Sequence, residues 1–325
     1  MSYAIIARQT GGTDVLKQIN LDIPSPKEGE VLIRHTAIGV NFIDTYFRSG
    51  LYPWPVEKDL VLGSEAAGVI EQLGEGVSGF TVGDRVAYTL PNGAYVTHRA
   101  LDAKHLVKLP DDISDEVAAA SMLKGLTAHY LLHRSYAPER GQTVLFHAAA
   151  GGVGLIAGQW LSAKGVNAIG TAGGPQKCAL AAEHGYGHTI DYRSENFVER
   201  INEITDGQGV DAVYDSVGKD TYPGSLNCLK IFGSLVNFGQ SSGPALDFKL
   251  SDLAVGSYSV TRPILFHFTA EPGYLQSASD ELFKMITSGK IKININQKFS
   301  LSEAVKAHDQ LEGRKTTGST ILLPN

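Results

Sequence analysis

Beyond Asp115 the apolar positions of the chain alternate between two rhythms. Short runs dense in β-branched and aromatic residues give way to longer stretches whose apolar residues return at helical spacing. TVLFHAA predicts a strand and GGVGLIAGQWLSAKG a helix. VNAIGTA with PQKCALAAEHG, and HTIDYR with ENFVERINEITDG, repeat the pair. VDAVYDSVG predicts a further strand, PGSLNCLK a short helix and GSLVNFG another strand. Such alternation predicts a parallel sheet with helices on both faces, because parallel neighbours need a crossover. A longer helical stretch, DEVAAASMLKGLTAHYLLHRS, precedes the series.

Before Asp115 the rhythm is different. EVLIRHTAIGV, EAAGVIEQLG and VGDRVAYTL predict short strands, and Pro24, Pro26, Pro53, Pro55 and Pro91 punctuate them. A compact, mostly β domain is expected, built as a small barrel. Two helical stretches, GYLQSASDELFKMITSG and LSEAVKAHDQLEG, and a final strand, STILLP, end the chain. They do not extend the strand–helix rhythm, so this tail is expected to fold back onto the first domain.

Composition narrows the class. The 325 residues suit two domains, and 43% hydrophobic with 19% charged residues suits a soluble globular protein. The formal net charge of −6 argues against nucleic acid and anionic membranes as partners. Two cysteines, Cys178 and Cys228, cannot make a disulfide framework or a four-cysteine zinc site. The start, MSYAIIARQTGG, lacks the pattern of a signal peptide, and no apolar run approaches the roughly 18 residues of a membrane span. A reduced, cytoplasmic setting is expected.

The chemistry-bearing stretch is AAAGGVG. No Lys-Ser or Lys-Thr follows its glycines, so it is not a Walker A loop. It lies between a predicted strand and a predicted helix, as a dinucleotide loop does, with Ala149 at the first glycine position of G-x-G-x-x-G. Gly151 would let the backbone approach a pyrophosphate; Gly152 and Val153 would present N–H groups, and Gly154 would let the helix pack close. The helix N-terminus supplies the partial positive charge that a lysine would otherwise supply. A tight turn with no ligand is the bland alternative.

Cofactor choice is read at the end of the second strand, where an acidic residue would bind the ribose 2′-hydroxyl of NAD. IGTAGGPQK offers no carboxylate. Gly173 and Lys177 there, with Tyr192 and Arg193 at the end of the neighbouring strand, suit the 2′-phosphate of NADPH. Lys177 also suits a solvated helix position, and Tyr192 a cover for the adenine.

These segments resemble the quinone oxidoreductases and zeta-crystallins of the medium-chain dehydrogenase/reductase superfamily. GQTVLFHAAAGGVGLIAGQWLSAKG is similar to their signature; AIGVNFIDTYFRSGLYP, LGSEAAGVI, VGDRVAY, LKGLTAHYLL, DSVG and NFGQSSG follow in family order. The resemblance covers essentially the whole chain. It implies an α/β protein with a Rossmann doubly wound parallel sheet, 124–263, and a GroES-like, mostly β catalytic domain, 1–123, completed by 264–325. It also implies NADPH, a small-molecule quinone substrate and a homodimer.

Zinc-dependent members of the superfamily hold their catalytic metal with a Cys and a His where this chain has Asn41 and Ser64. An amide and a hydroxyl do not replace thiolate and imidazole, so no metal is expected, and Glu65, the acidic neighbour, has no metal site to serve. His129 and His133 stand at i, i+4 spacing, which a metal pair shares with core packing; the intervening leucines favour packing.

Hydride transfer to an electron-poor acceptor then needs orientation, desolvation and a donor to the oxygen gaining charge. The resemblance puts Asn41 and Tyr46 first for that work, with Tyr52 and Lys124 behind them; Asn41 also orients the nicotinamide ribose or the substrate carbonyl. Carried over by matching segment, Thr127, Ser216, Val217, Phe238, Gly239, Ser241, Ser242, Phe266, Phe268 and Arg314 are further cofactor contacts. No role is carried onto Ser319, where the family often has Lys. Reduction of α,β-unsaturated aldehydes or ketones, and NADPH binding with little turnover, are the alternatives.

Overall fold

The computed structural model describes residues 2–324. It divides into two compact units. One takes the chain up to Lys124, then Ala270–Thr287 and the chain from Ile293; the other takes Gly125–Thr269 with Ser288–Lys292. No helix among the described residues is long and apolar enough to cross a membrane.

The first unit is built around the strand Glu30–Val40. Glu65–Leu73 pairs antiparallel along one side, followed by Arg85–Thr89 and Val107–Lys108. Its other side pairs with His98–Asp102 at the N-terminal half and with Ser319–Leu323 at the C-terminal half. Ile295–Ser300, which the hydrophobic pattern does not reveal, adds a parallel strand beside Ser319–Leu323. Val31, Ile33, Ile38, Val40 and Leu322 are buried in one core with Ile70, Val86 and Tyr88. A second sheet sets Ser2–Ala7 between Lys17–Leu21 and Leu60–Val61.

A helix, Phe42–Ser49, also escapes the period-based reading. It is short, and its start is set by polar atoms: the Asp44 carboxylate accepts from the backbone N–H of Asn41 at 2.8 Å. Gly50, in the left-handed region at φ 82°, ends it.

The second unit holds a six-stranded sheet, parallel throughout. Its spatial order is His188–Asp191, Asn167–Ala172, Thr143–Phe146, Val210–Asp215, Leu229–Asn237, Ser259–Thr261. The predicted strand–helix series is present, with Ser259–Thr261 as an addition. Val210–Asp215 is buried along its whole length, as expected of a strand covered on both faces. The order runs outward both ways from Thr143–Phe146 and Val210–Asp215, so the loops leaving these strands diverge. Sheets with such a switch in strand order bind ligands at the carboxyl ends of the strands beside it. The helix Asp115–Tyr130 supplies residues to both units.

One buried histidine gives the first unit a pH signature. His35 lies on the central strand, its Nδ1 2.7 Å from the Val96 carbonyl and its Nε2 3.0 Å from the Tyr88 hydroxyl. The carbonyl can only accept, so Nδ1 carries the proton and Nε2 accepts from Tyr88. Burial pushes the His35 pKa down to about 3. The unfolded chain protonates this group near pH 6.5, so its contribution is complete above that pH and is lost as pH falls toward 3. Between about pH 6.5 and about pH 5.5, the wild type is expected to lose about 1 kcal/mol more stability than His35→Asn. Urea unfolding measures this, and parallel acid limbs for the two proteins would show that His35 is not held neutral.

Candidate active site

Two sets of residues carry the candidate chemistry, one in each unit. In the first unit, the turn from the central strand into Phe42–Ser49 places Asn41 beside Glu65, the first residue of the adjoining strand. Asn41 Nδ2 donates to Glu65 Oε1 at 2.9 Å, and Lys124 Nζ donates to the same oxygen at 2.6 Å. Glu65 Oε2 accepts from the backbone N–H of Leu123 at 2.6 Å. Glu65 has no solvent exposure, and Asn41 and Lys124 are also buried. Gly39 pairs across from Glu65, and a Cβ at Gly39 would collide with the Glu65 carboxylate and the Ala119 carbonyl. The glycine therefore serves close approach, not a left-handed turn.

The structure thus brings Asn41 and Lys124 together on a residue that the sequence reading set aside. Glu65 has a set of three donors, Asn41, Lys124 and the Leu123 N–H. Ser64, on the other side of the chain, donates to Asp44 Oδ1 at 2.7 Å, and Tyr95 donates to Asp44 Oδ2 at 3.1 Å. Burial pushes the Asp44 carboxyl up to about 6, against the pull of these hydrogen bonds. Tyr46 and Tyr52 form one aromatic group with ring centroids 5.2 Å apart; Phe42 stands against Tyr46 and Phe47 against Tyr52. The Tyr52 N–H donates to the Tyr46 carbonyl at 3.0 Å, which ties the residue after the helix back onto it. Arg314 belongs to this unit, following the helix Ala304–Glu312 in a left-handed conformation at φ 55°.

In the second unit the strand Thr143–Phe146 passes through Ala148, at φ 56°, into the helix Gly152–Lys164. Ala149 packs on Gly170, where a Cβ would stand 2.6 Å from it. Gly151 is the residue before the helix, in extended conformation, and a Cβ there would meet only the Ala148 carbonyl, at 3.1 Å. At Gly154 a Cβ would lie 2.5 Å from the Ala148 carbonyl oxygen and 2.6 Å from that of Ala149. The two glycines therefore have different causes. The fold itself demands Gly154, whereas the space above Gly151 is left open by the protein. The leading N–H groups of the helix, those of Gly152 and Val153 among them, have no acceptor within it and suit an anion.

At the end of the second strand, Tyr192 and Arg193 cover Gly173. Asp191 Oδ1 accepts from the N–H of Gly174 at 2.8 Å and of Arg193 at 3.1 Å. These hydrogen bonds hold the Asp191 carboxyl below its usual range. The carboxylate nearest this loop thus comes from the third strand and is engaged with backbone. Lys177 sits half-buried in the first turn of Pro175–Glu183, and Tyr192 is exposed.

The loops after the fourth and fifth strands interlock. Ser241 N–H donates to the Ser216 carbonyl at 3.1 Å, and Ser242 Oγ to the Val217 carbonyl at 2.8 Å. A Cβ at Gly239 would stand 2.7 Å from the Ser216 carbonyl oxygen. Phe238 lies against Phe146, their centroids 5.6 Å apart. Beneath them Asp215, fully buried, accepts from Val217 N–H, Thr221 and Ser225. His147 spans Ser225 at 3.0 Å and Thr171 at 2.9 Å, so one polar network joins three strand ends. Sequence reading missed Asp215 and His147 because nothing in their spacing marks a contact made across strands.

Phe268 stacks on Tyr130 with centroids 4.6 Å apart, and Arg134 lies over its ring; Phe266 is half-buried on the same short helix, Leu265–Thr269. Thr127 is buried in the long helix. His129 and His133 stack at 4.6 Å, both edge-on to Trp160. Among the described residues no group of three or more His, Cys, Asp or Glu is placed to hold a metal.

Two family models match the chain: the Alcohol dehydrogenase GroES-like domain over residues 27–111 and the Zinc-binding dehydrogenase over 152–280. The chain is 52% identical over 316 residues to a quinone oxidoreductase of Pseudomonas aeruginosa, with 97% of each covered. It is 43% identical to a 2-haloacrylate reductase of a Burkholderia species, covering 100% of this chain and 99% of that one. A crystal structure of Escherichia coli quinone oxidoreductase complexed with NADPH superposes with a TM-score of 0.96 at 46% identity, covering 99% of this chain and 100% of that one. Asn41 and Ser64 are hydrogen-bonded to Glu65 and Asp44.

The two glycines of the loop are expected to respond differently to the same change. Gly154→Ala forces backbone apart and costs about 1–3 kcal/mol or more. Gly151→Ala adjusts to one carbonyl contact and stays within about 1 kcal/mol of wild type. Thermal unfolding of the protein without ligand measures both; equal losses would mean that Gly151 is a packing residue too.

Proposed function

The chain belongs to the quinone oxidoreductase family, and from that premise we propose that it reduces quinones with hydride from NADPH and needs no metal ion. The observation that carries this reading is the full-length likeness to a quinone oxidoreductase that binds NADPH, 46% identical with a TM-score of 0.96. The open space over Gly151 at a helix start supports it independently, since the protein leaves room where a pyrophosphate would lie. NADPH, when bound, supplies the hydride.

In this reading the unit with the parallel sheet, from Gly125, binds the cofactor, and the β-rich unit carries the chemistry. Gly151, Gly152, Val153 and Gly154 hold the pyrophosphate, and Gly173, Lys177 and Tyr192 take the adenosine end with its 2′-phosphate. Thr127, Ser216, Val217, Phe238, Gly239, Ser241, Ser242, Phe266, Phe268 and Arg314 are further cofactor contacts in this reading. Asn41 donates a hydrogen bond to the cofactor ribose or to the acceptor oxygen, and Lys124 brings positive charge to the region where negative charge develops. Tyr46 and Tyr52, with rings tilted 57° to each other, offer aromatic surface to a planar acceptor. A second reading, reduction of an activated C=C bond, is favoured by the 43% identity to the 2-haloacrylate reductase. We place the enzyme in the cytoplasm.

The same reading includes a homodimer. Ser259–Thr261 is the last strand on its side of the sheet, and Ile231, Phe232, Leu246, Leu250 and Val255 are exposed in the same unit. Apolar side chains left in water beside an edge strand suit the approach of a second copy.

The wild type is expected to oxidise NADPH with 1,4-benzoquinone and to prefer NADPH over NADH. Lys177→Ala should weaken NADPH by about tenfold and leave NADH nearly unchanged, since one charge-assisted contact is worth about 1.5–3 kcal/mol and less when half-exposed. Equal titration by both cofactors would overturn the preference, and turnover of 2-chloroacrylate alone would favour the second reading. For the dimer, light scattering should give twice the chain mass for wild type and a shift toward one chain mass for Phe232→Asp. A wild-type monomer at micromolar concentration would overturn it.

A further inference from the structure

We propose that Glu65 is a positioning residue for this reaction: it fixes the orientation of the Asn41 amide and so the direction in which Asn41 presents its remaining N–H. The inference rests on the reading of Asn41 as a group that touches cofactor or substrate. An Asn amide has two nearly isosteric ends, and rotation about χ2 exchanges a donor for an acceptor. An ionised carboxylate accepts only, so it selects the amide end that donates.

The surroundings of Glu65 show that this selection is built in. Oε1 receives both Asn41 Nδ2 at 2.9 Å and Lys124 Nζ at 2.6 Å, while Oε2 receives the Leu123 N–H at 2.6 Å. Every named partner is a donor. A glutamine in its place has one oxygen and one NH2, and either orientation sets its NH2 against a donor. It would face Leu123 N–H in one orientation, and Asn41 with Lys124 in the other. The site therefore requires a carboxylate, not merely a polar side chain of this length. Gly39 closes the remaining side, because any Cβ there would push on the carboxylate and on the Ala119 carbonyl. Lys124 sets its ammonium 2.6 Å from Glu65 Oε1, so a cation stands beside a carboxylate with no solvent exposure.

Counter-charge for Lys124 and orientation of Asn41 are separable roles. The test uses the full-length protein labelled with 15N-asparagine, the Asn41 side-chain signal being identified by its loss in Asn41→Ala. Glu65→Gln is expected to speed hydrogen exchange of the Asn41 NH2 by about tenfold or more. It is also expected to lower kcat for NADPH with 1,4-benzoquinone by about tenfold or more, with the NADPH Kd changed less than about twofold. In an Asn41→Ala background the same substitution should change kcat by less than about twofold, because the residue through which it acts is gone. Unchanged exchange in Glu65→Gln overturns the proposal, and so do effects on kcat that multiply. Glu65→Asp keeps the counter-charge for Lys124 but is too short to span Asn41 and Leu123; it carries the same measurements if Glu65→Gln fails to fold. A wild type that does not reduce the quinone would count against the function proposed above, and the exchange rates alone would then decide the role of Glu65.

Discussion

A fully buried carboxylate has to meet its desolvation cost from the donors around it, and in the first unit that requirement organises everything near Glu65. Its three donors come from two places in the chain: Asn41, just after the central strand, and the side chain of Lys124 with the backbone of Leu123 on the long helix. Satisfying one side chain thus fixes the strand end, the start of the helix Phe42–Ser49 and the middle of Asp115–Tyr130 relative to each other. The glycine opposite, Gly39, is the steric condition for it. A second buried carboxylate, Asp44, holds the same turn from the other side through Asn41 N–H, Ser64 and Tyr95.

The second unit solves a similar problem with Asp215. Parallel strands end together, and their loops expose backbone polar groups at the carboxyl edge of the sheet. Asp215 takes the N–H of Val217 and the hydroxyls of Thr221 and Ser225, and His147 carries the network on to Thr171. Burial pushes the His147 pKa down, so the bridge is made by a neutral imidazole with a donor and an acceptor face. The loops at these strand ends are tied together by buried side chains. Asp191 does the same for the loop at Gly173–Gly174.

Asn41 and Ser64, which the family resemblance set at the metal-ligand positions, are engaged in hydrogen bonds. Asn41 and Ser64 each bind a carboxylate in place of a cation, and a lysine supplies the positive charge beside them.

Much of this was legible in the sequence. The alternation of strand and helix text from Thr143 to Phe238 dictated a parallel sheet, because only crossovers join parallel neighbours. AAAGGVG marked the turn from a strand into a helix, which the structure has at Thr143–Phe146 and Gly152–Lys164, and Asn41, Tyr46 and Lys124 were singled out by their segments. Local spacing carries such information because it concerns neighbours in the chain. The roles of Glu65, Asp44, Asp215 and His147 did not show, since each makes contacts across strands or between a strand and a helix. The pairing of Ser319–Leu323 with Val40, and the addition of Ile295–Ser300 beside it, likewise depend on which chain segments meet. The sequence determined which residues could do chemistry; tertiary packing decided which donor faces which acceptor, because a buried polar atom is satisfied only by what the fold brings within about 3 Å of it.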